Sequence, residues 1–331
     1  MTAPALTVAD LSVRFPTDGR RAGRGASRRA GSAVHAATDV SFALRPGRVL
    51  ALVGESGCGK SVLAAALLRL LPADAVVTGR ALLRTDGPDV DLLTAPGRVL
   101  RRTVRGRRVA LVPQSAATAL TPVRTVRAQL EETVGELSPG VDRRQRADEL
   151  ALRVGLAPAD LDRHPHELSG GMAQRVVTAL ALAGDPEVVL ADEPTAGLDR
   201  PLVDRTLRLL REVADAGCAV LLITHDLGAL QRSPGLVDDL AVMYASRLVE
   251  TGPADAVLAG PAHDYTRALL GALPAGGLVP IPGSPPALTD LPPGCAWHAR
   301  RPDSGPCDGG GTVHVDGPRA TRCRPPGGSP C

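Results

Sequence analysis

One stretch governs what this chain can fold around. Gly54-Glu55-Ser56-Gly57-Cys58-Gly59-Lys60-Ser61 fits G-x-x-x-x-G-K-[ST], a loop that wraps phosphate with its own backbone. Lys60 is the only lysine in the chain; every other member of the 38 Lys and Arg residues is Arg. A compact ammonium on a flexible stem reaches beneath such a loop to β- and γ-phosphates as a point charge. A planar five-donor guanidinium is too wide for that place. Arg48-Val49-Leu50-Ala51-Leu52-Val53 precedes the loop as an apolar run that predicts a buried strand. The Ala/Leu-rich span from Ser61 to Leu71 predicts a helix stopped by Pro72. Strand, glycine loop and helix in that order aim successive N–H groups and a helix N-terminus at phosphate, with the Ser61 hydroxyl on Mg²⁺. The loop implies an α/β chain that takes a nucleoside triphosphate.

Composition removes other classes. A formal net charge of +3 over 331 residues is too mild to call for nucleic acid. No run approaches the roughly 18 apolar residues of a membrane-crossing helix. Met1-Thr2-Ala3-Pro4-Ala5-Leu6-Thr7-Val8 lacks signal-peptide character, so the expectation is a cytosolic chain that meets a membrane only through partners. Aromatics make up 2% of the residues, which leaves Leu, Val and Ala to build the core. From Pro280 onward Pro, Gly and Arg dominate with little periodicity. A boundary near Gly260 is therefore expected, separating residues 1–260 from an extension over 261–331. Arg20 to Arg29 is Gly/Ser/Arg-rich and reads as an exposed loop, or alternatively as a membrane-surface or partner contact.

Further motifs follow in fixed order. Arg108-Val109-Ala110-Leu111-Val112-Pro113-Gln114 reads as a strand ending in an amide. After a stretch of helical character comes His166-Glu167-Leu168-Ser169-Gly170-Gly171-Met172-Ala173-Gln174. Val188-Val189-Leu190-Ala191-Asp192-Glu193-Pro194 is an apolar strand ending in two acids, continued by Thr195-Ala196-Gly197-Leu198-Asp199. Val220-Leu221-Leu222-Ile223-Thr224-His225-Asp226 is a strand that delivers a histidine. The phosphate loop alone says only NTPase, whereas Leu-Ser-Gly-Gly with an apolar strand and Asp-Glu-Pro-Thr downstream is highly specific. Through these residues the chain resembles the ATP-binding subunit of ABC transporters. Gly54–Ser61 looks like its Walker A, Gln114 its Q-loop, Leu168–Met172 its signature, Asp192–Glu193 its Walker B and catalytic acid, Ala196–Asp199 its D-loop and His225 its switch.

The resemblance implies a P-loop ABC-type ATPase domain with an antiparallel β subdomain and a helical subdomain over about 114–185, plus a small irregular C-terminal extension. It also implies a role for each site residue. Gly54, Glu55, Ser56, Gly57, Cys58, Gly59, Lys60 and Ser61 bind the ATP phosphates, and Ser61, Gln114 and Asp192 hold Mg²⁺. Glu193 polarises the attacking water, a contribution commonly worth ~10²–10⁴ in rate. Gln114 and His225 contact the γ-phosphate or that water, and otherwise are ordinary strand-end residues. Ser169, Gly170 and Gly171 offer a hydroxyl, two glycine N–H groups and a helix N-terminus, which close over ATP held by a partner subunit; a simple helix cap is the plainer alternative. Asp199 belongs to the D-loop beside that nucleotide. Phe15, which ends Leu11-Ser12-Val13-Arg14-Phe15, stacks on adenine or packs in the core.

Beyond the ATPase motifs, Pro261-Ala262-His263-Asp264-Tyr265-Thr266-Arg267-Ala268-Leu269-Leu270 is similar to the docking element of the oligopeptide/dipeptide and nickel uptake subfamily. Ile281-Pro282-Gly283-Ser284-Pro285-Pro286 and Gly294-Cys295-Ala296-Trp297-His298-Ala299-Arg300-Arg301-Pro302 continue the likeness. That subfamily's tail often carries four cysteines resembling an iron–sulfur site, and here Arg301 stands where the second is usual. Cys295, Cys307 and Cys323 need Cys331 as the fourth ligand of a [4Fe-4S] cluster; a structural zinc or free thiols are the alternatives. The resemblance implies an ATPase of a di/oligopeptide importer, peripheral on the cytoplasmic face of the cell membrane. Its partners are two integral-membrane permeases, a second ABC ATPase (a copy or a paralogue) and, indirectly, an extracytoplasmic solute-binding protein, with no nucleic acid. A nickel or other solute importer, or a non-transport ABC ATPase, are the other functions compatible with the motifs.

Overall fold

A computed structural model describes residues 3–17, 33–292, 294–301 and 312–323. The Arg20–Arg29 stretch lies outside the described residues. In chain order the strands are β1 (Leu6–Pro16), β2 (Ala33–Leu44), β3 (Val49–Val53), β4 (Val76–Leu83), β5 (Val90–Asp91), β6 (Val109–Val112), β7 (Val188–Asp192), β8 (Ala219–Ile223), β9 (Asp239–Tyr244), β10 (Arg247–Pro253), β11 (Val313–Asp316) and β12 (Arg319–Arg322). The α-helices are α1 (Lys60–Leu67), α2 (Gly97–Val99), α3 (Ala116–Ala119), α4 (Val126–Leu137), α5 (Arg143–Arg153), α6 (Gly170–Leu182), α7 (Arg200–Asp215), α8 (Leu227–Arg232), α9 (Ala254–Ala259), α10 (Asp264–Gly271) and α11 (Ala296–Arg300). By contacts the chain forms two compact units: one of Met1–Ala5, Leu44–Leu50 and Ala95–Thr224, the other of Leu6–Ala43, Ala51–Thr94 and His225–Cys331.

The first unit carries β6, β7 and β8 as parallel neighbours, with Val188 opposite both Val109 and Ala219. Val188–Ala191 and the whole of β8 are buried. That unbroken apolar character is what a strand covered on both faces requires. α7 buries Val203, Leu207, Leu210 and Ala214, a stripe at helical spacing. Between β6 and β7 the chain runs through α3 to α6. There Arg127 of α4 donates to Asp148 of α5 at 2.8 Å, to Asp162 at 2.5 Å and to the Pro158 carbonyl at 2.9 Å. One guanidinium thus ties two helices and a turn, and those hydrogen bonds keep it charged despite its burial.

The second unit holds an antiparallel sheet in the order β2-β1-β4-β5. In β1, buried Leu6, Val8, Leu11 and Val13 alternate with more exposed neighbours except at a register shift between Ala9 and Ser12. Its other strands follow the order β11-β12-β10-β9-β3. Two details differ from the sequence expectations. The helix after the phosphate loop ends at Leu67 rather than Leu71. Arg69 takes a left-handed φ of 49°, and its N–H and that of Leu70 return to the carbonyls of Ala66 and Ala65. That closure ends the helix before Pro72 can. The tail is also more ordered than its composition implies: α11 and the β11–β12 hairpin form within it, and β12 pairs with β10 through Glu250–Thr321 and Thr251–Ala320.

Candidate active site

Five buried residues of β3 lead into Gly54, and the loop closes when α1 begins at Lys60. Lys60 is only 6% exposed. Its Nζ donates to the carbonyls of Gly54 at 2.8 Å and Glu55 at 3.1 Å, and lies 3.9 Å from Cys58 Sγ. Ser56, Gly57 and Ser61 face solvent, so the outer side of the loop is open. The Cys58 thiol is buried, and its burial raises the pKa although the nearby Lys60 charge pulls the other way; it is a packing residue rather than a nucleophile. Gly59 caps α1 at φ +109°, where the carbonyl of Ala36 leaves no room for a side chain. The loop thus presents an enclosed amine, backbone N–H groups and a helix N-terminus, a donor set that suits a polyphosphate, with the Ser61 hydroxyl as a candidate oxygen ligand for its Mg²⁺.

The strand-end residues sit where the motif order puts them. Gln114 is exposed, two residues beyond β6, and Gln174 Nε2 reaches the carbonyl of Pro113 at 3.5 Å. Asp192 is the last residue of β7 and half-buried. Glu193 is 7% exposed and takes φ +49°, uncommon for a residue with a side chain. Its N–H donates to the Ile223 carbonyl at 2.9 Å, and its own carbonyl accepts from Ala196 at 3.0 Å. A backbone so pinned on both sides holds the carboxylate at the strand end in a strained conformation. His225 lies two residues beyond β8 and is exposed, while Asp226 caps α8 by accepting from the Ala229 N–H at 2.8 Å.

Three other expected residues have identifiable local roles. Ser169 and Gly170 are exposed, and the Ser169 hydroxyl accepts from the Met172 N–H at 3.3 Å as the cap of α6. Gly171 is buried, with space for a Cβ closed by Leu202. Asp199 is exposed and caps α7 by accepting from the Leu202 N–H at 3.0 Å. Phe15 is half-exposed near the end of β1, outside the buried core. Sequence reasoning missed the partners of Glu55, namely Arg300 on its carboxylate and Tyr265 on its N–H. The available signal was the placing of both Tyr and the single Trp of the chain at positions 244, 265 and 297.

Cys295 and Cys323 come together, both buried; Cys307 and Cys331 lie outside the described residues. The Cys323 hydrogen bond, against burial and with help from His263 and His298, draws the Cys295 thiol well below its usual range. Among the described residues no group of three or more His, Cys, Asp or Glu is arranged to hold a metal ion. Two thiols do not supply the four thiolates of a cluster, so the described donor set does not fit one. Arg301 turns its guanidinium over Trp297, 5.9 Å from the ring centre. Among the described residues no helix is long and apolar enough to cross a membrane.

Residues 37–196 match the ABC transporter family model, and residues 249–306 match the oligopeptide/dipeptide transporter C-terminal region. A chain of Brucella abortus named as a peptide import ATP-binding protein is 41% identical over 310 residues, covering 90% of this chain and 87% of that one. The oligopeptide transport ATP-binding protein OppD of Mycobacterium tuberculosis is 40% identical over 312 residues, covering 91% of this chain and 48% of that one. The fold is shared with a dimeric, post-hydrolysis ATP-binding cassette bound to ADP and Pi, at a TM-score of 0.60 and 21% identity, covering 75% of this chain and 98% of that one. With a phosphate loop, acidic strand end and signature segment in this order, and relatives of about two-fifths identity along nine-tenths of its length, the chain belongs to the ATP-hydrolysing, ATP-binding subunits of ABC transporters.

Proposed function

We propose that this chain energises an importer of di- and oligopeptides from the cytoplasmic face of the membrane. The observation that carries the assignment is the oligopeptide/dipeptide transporter C-terminal region at residues 249–306, in the same chain as the cassette match. In this reading the loop from Gly54 to Ser61 binds the phosphates. Lys60 exchanges its two carbonyl partners for β- and γ-phosphate oxygens, so its ammonium stays hydrogen-bonded throughout and meets an opposite charge when nucleotide binds. Ser61, Gln114 and Asp192 are the residues for Mg²⁺, and the metal supplies charge neutralisation of the phosphates. Glu193 accepts a proton from the attacking water, while His225 and Gln114 orient that water and the γ-phosphate. Phe15 provides a face for adenine.

Ser169, Gly170 and Gly171, with Asp199, serve the nucleotide of a second ATPase subunit, so that ATP closes two subunits together and hydrolysis lets them part. Two permeases convert that motion into alternating access, and an external binding protein delivers the peptide. No step of this reading draws on an iron–sulfur cluster, which the described tail thiols do not fit. A cell deleted for this chain should lose uptake of a labelled tripeptide. Wild-type protein should restore it, and Lys60→Ala should not. Unimpaired peptide uptake in the deletion strain would overturn the assignment.

A further inference from the structure

Glu55, the second residue of the phosphate loop, is gripped from the far end of the chain. Arg300 Nη1 donates to Glu55 Oε2 at 2.8 Å, and Nη2 to Oε1 at 3.3 Å. The Arg300 side chain is 3% exposed. Two more of its five N–H donors are fixed as well, Nε on the Pro282 carbonyl at 2.8 Å and Nη2 on that of Gly283 at 3.1 Å. A second tie reaches the backbone of the same residue: the Glu55 N–H donates to Tyr265 Oη at 3.1 Å. Burial opposes the charge on Arg300, but hydrogen bonds and attraction from Glu55 outweigh it, so its pKa stands above the ordinary value. Behind these contacts Tyr244, Tyr265 and Trp297 pack with ring centres 4.2, 5.5 and 5.9 Å apart. They are three of the five Phe, Tyr and Trp residues in the chain.

The position of Glu55 matters because Lys60 rests on its carbonyl and on that of Gly54. Anchors on the Glu55 carboxylate and N–H therefore fix the segment of backbone that holds the amine. A lone stabilising contact would require neither a buried four-pronged guanidinium nor a second tie to the loop backbone. Lysine in place of Arg300 has no fork with which to hold both carboxylate oxygens and two carbonyls at once.

We propose that Arg300 and Tyr265 are positioning residues for the phosphate loop, holding Glu55 so that Lys60 is presented to nucleotide, and that the C-terminal extension and the nucleotide are thereby coupled. This rests on the nucleotide-binding role assigned above. Coupling of binding free energies is reciprocal: if the extension sets ATP affinity, ATP must bias the extension. Trp297 is the only tryptophan, and its ring lies 5.6 Å from the Arg300 guanidinium and 5.5 Å from the Tyr265 ring, so its emission reports on the joint.

The test titrates ATP into the full-length chain, reading affinity by equilibrium dialysis and the extension by Trp297 fluorescence, with melting of the nucleotide-free protein as a folding control. Wild type should show a saturable change in emission. Arg300→Gln and Glu55→Gln should each weaken ATP binding about tenfold, and the double variant should be no weaker than either single. Arg300→Lys should recover only part of the loss. Tyr265→Phe keeps the ring and removes one hydroxyl; it should lower affinity about threefold or more while the apo protein still melts cooperatively within a few degrees of wild type, which keeps the test open if Arg300→Gln misfolds. ATP affinity within twofold of wild type in folded Arg300→Gln or Tyr265→Phe would overturn the coupling, as would Trp297 emission unmoved by saturating ATP. Failure of wild type itself to bind ATP in dialysis would instead remove the nucleotide role on which the coupling stands.

Discussion

Replacing Gly59 with alanine should damage both stability and turnover, and the geometry sets the scale. A Cβ built at Gly59 falls 1.8 Å from the Ala36 carbonyl oxygen and 3.0 Å from Met243 Cε, whereas real Cβ contacts essentially never come under 3.0 Å. The methionine end can swing aside, but the oxygen belongs to the backbone of β2, where Ala36 is buried. Relief therefore moves the first turn of α1 by more than an ångström and takes Lys60 with it. Forcing a methyl into a packed place costs about 1–3 kcal/mol, and a left-handed φ of +109° on alanine adds about 1–2 kcal/mol. The sum, about 2–5 kcal/mol, should lower the melting temperature by roughly 5–15 °C. Misplacing the phosphate grip by an ångström should cut ATP turnover about 10²-fold. Gly57→Ala is the control: φ is +81° there, but a Cβ meets nothing within 4 Å, so only the conformational cost of about 1–2 kcal/mol remains. Calorimetry of the two variants beside ATP turnover makes the comparison. A Gly59→Ala protein that melts with or above Gly57→Ala would refute the idea that this contact fixes the loop.

Lys60→Arg should weaken ATP binding more than about tenfold in equilibrium dialysis, because the amine's place, 2.8 and 3.1 Å from two carbonyls, excludes a planar fork. Wild-type affinity would sink the size argument while leaving the ATPase assignment standing. Glu193→Gln should keep ATP binding but slow hydrolysis by ~10²–10⁴, measured by phosphate release in the assembled transporter; steady turnover would mean that another group is the base. Acid stability should depend on Asp162, whose carboxyl the Arg127 hydrogen bond holds below its usual pKa. A lowered folded-state pKa gives stability that is whole above the ordinary carboxylate value and lost as pH falls through the lowered one. Asp162→Asn should flatten that acid limb of a melting-temperature profile, and an unchanged limb would assign it to other carboxylates.

The loop, β6, β7 and β8 were legible because each is local: a run of apolar residues followed by Gly, Gln, Asp-Glu or His carries its own ending. The stop of α1 was not, since a left-handed Arg69 gives no compositional sign, unlike the Pro72 that stood nearby as a plausible terminator. The β11–β12 hairpin escaped for a different reason. β11 is largely exposed, with Val313 and Val315 facing solvent, and β12 is half-buried through Arg, Ala and Thr, so neither shows the apolar in-and-out alternation by which strands are recognised. The grip on Glu55 joins residues 245 apart, and no periodicity or spacing encodes a pair so distant. Ser169 illustrates the reverse: a helix cap was the plainer alternative to its phosphate grip, and its hydroxyl does accept from the Met172 N–H at the start of α6 while remaining exposed.

With one lysine in the chain, a lysine-specific endoprotease has one peptide bond to cut, Lys60–Ser61. That bond lies in the first turn of α1, beside a side chain that is 6% exposed and bound to the loop before it. Cleavage requires the backbone there to come free and extend, and when reclosing outpaces cutting, the yield follows the population of opened molecules. A single pair of fragments, 1–60 and 61–331, therefore turns a gel lane into a count of molecules whose phosphate loop has come undone.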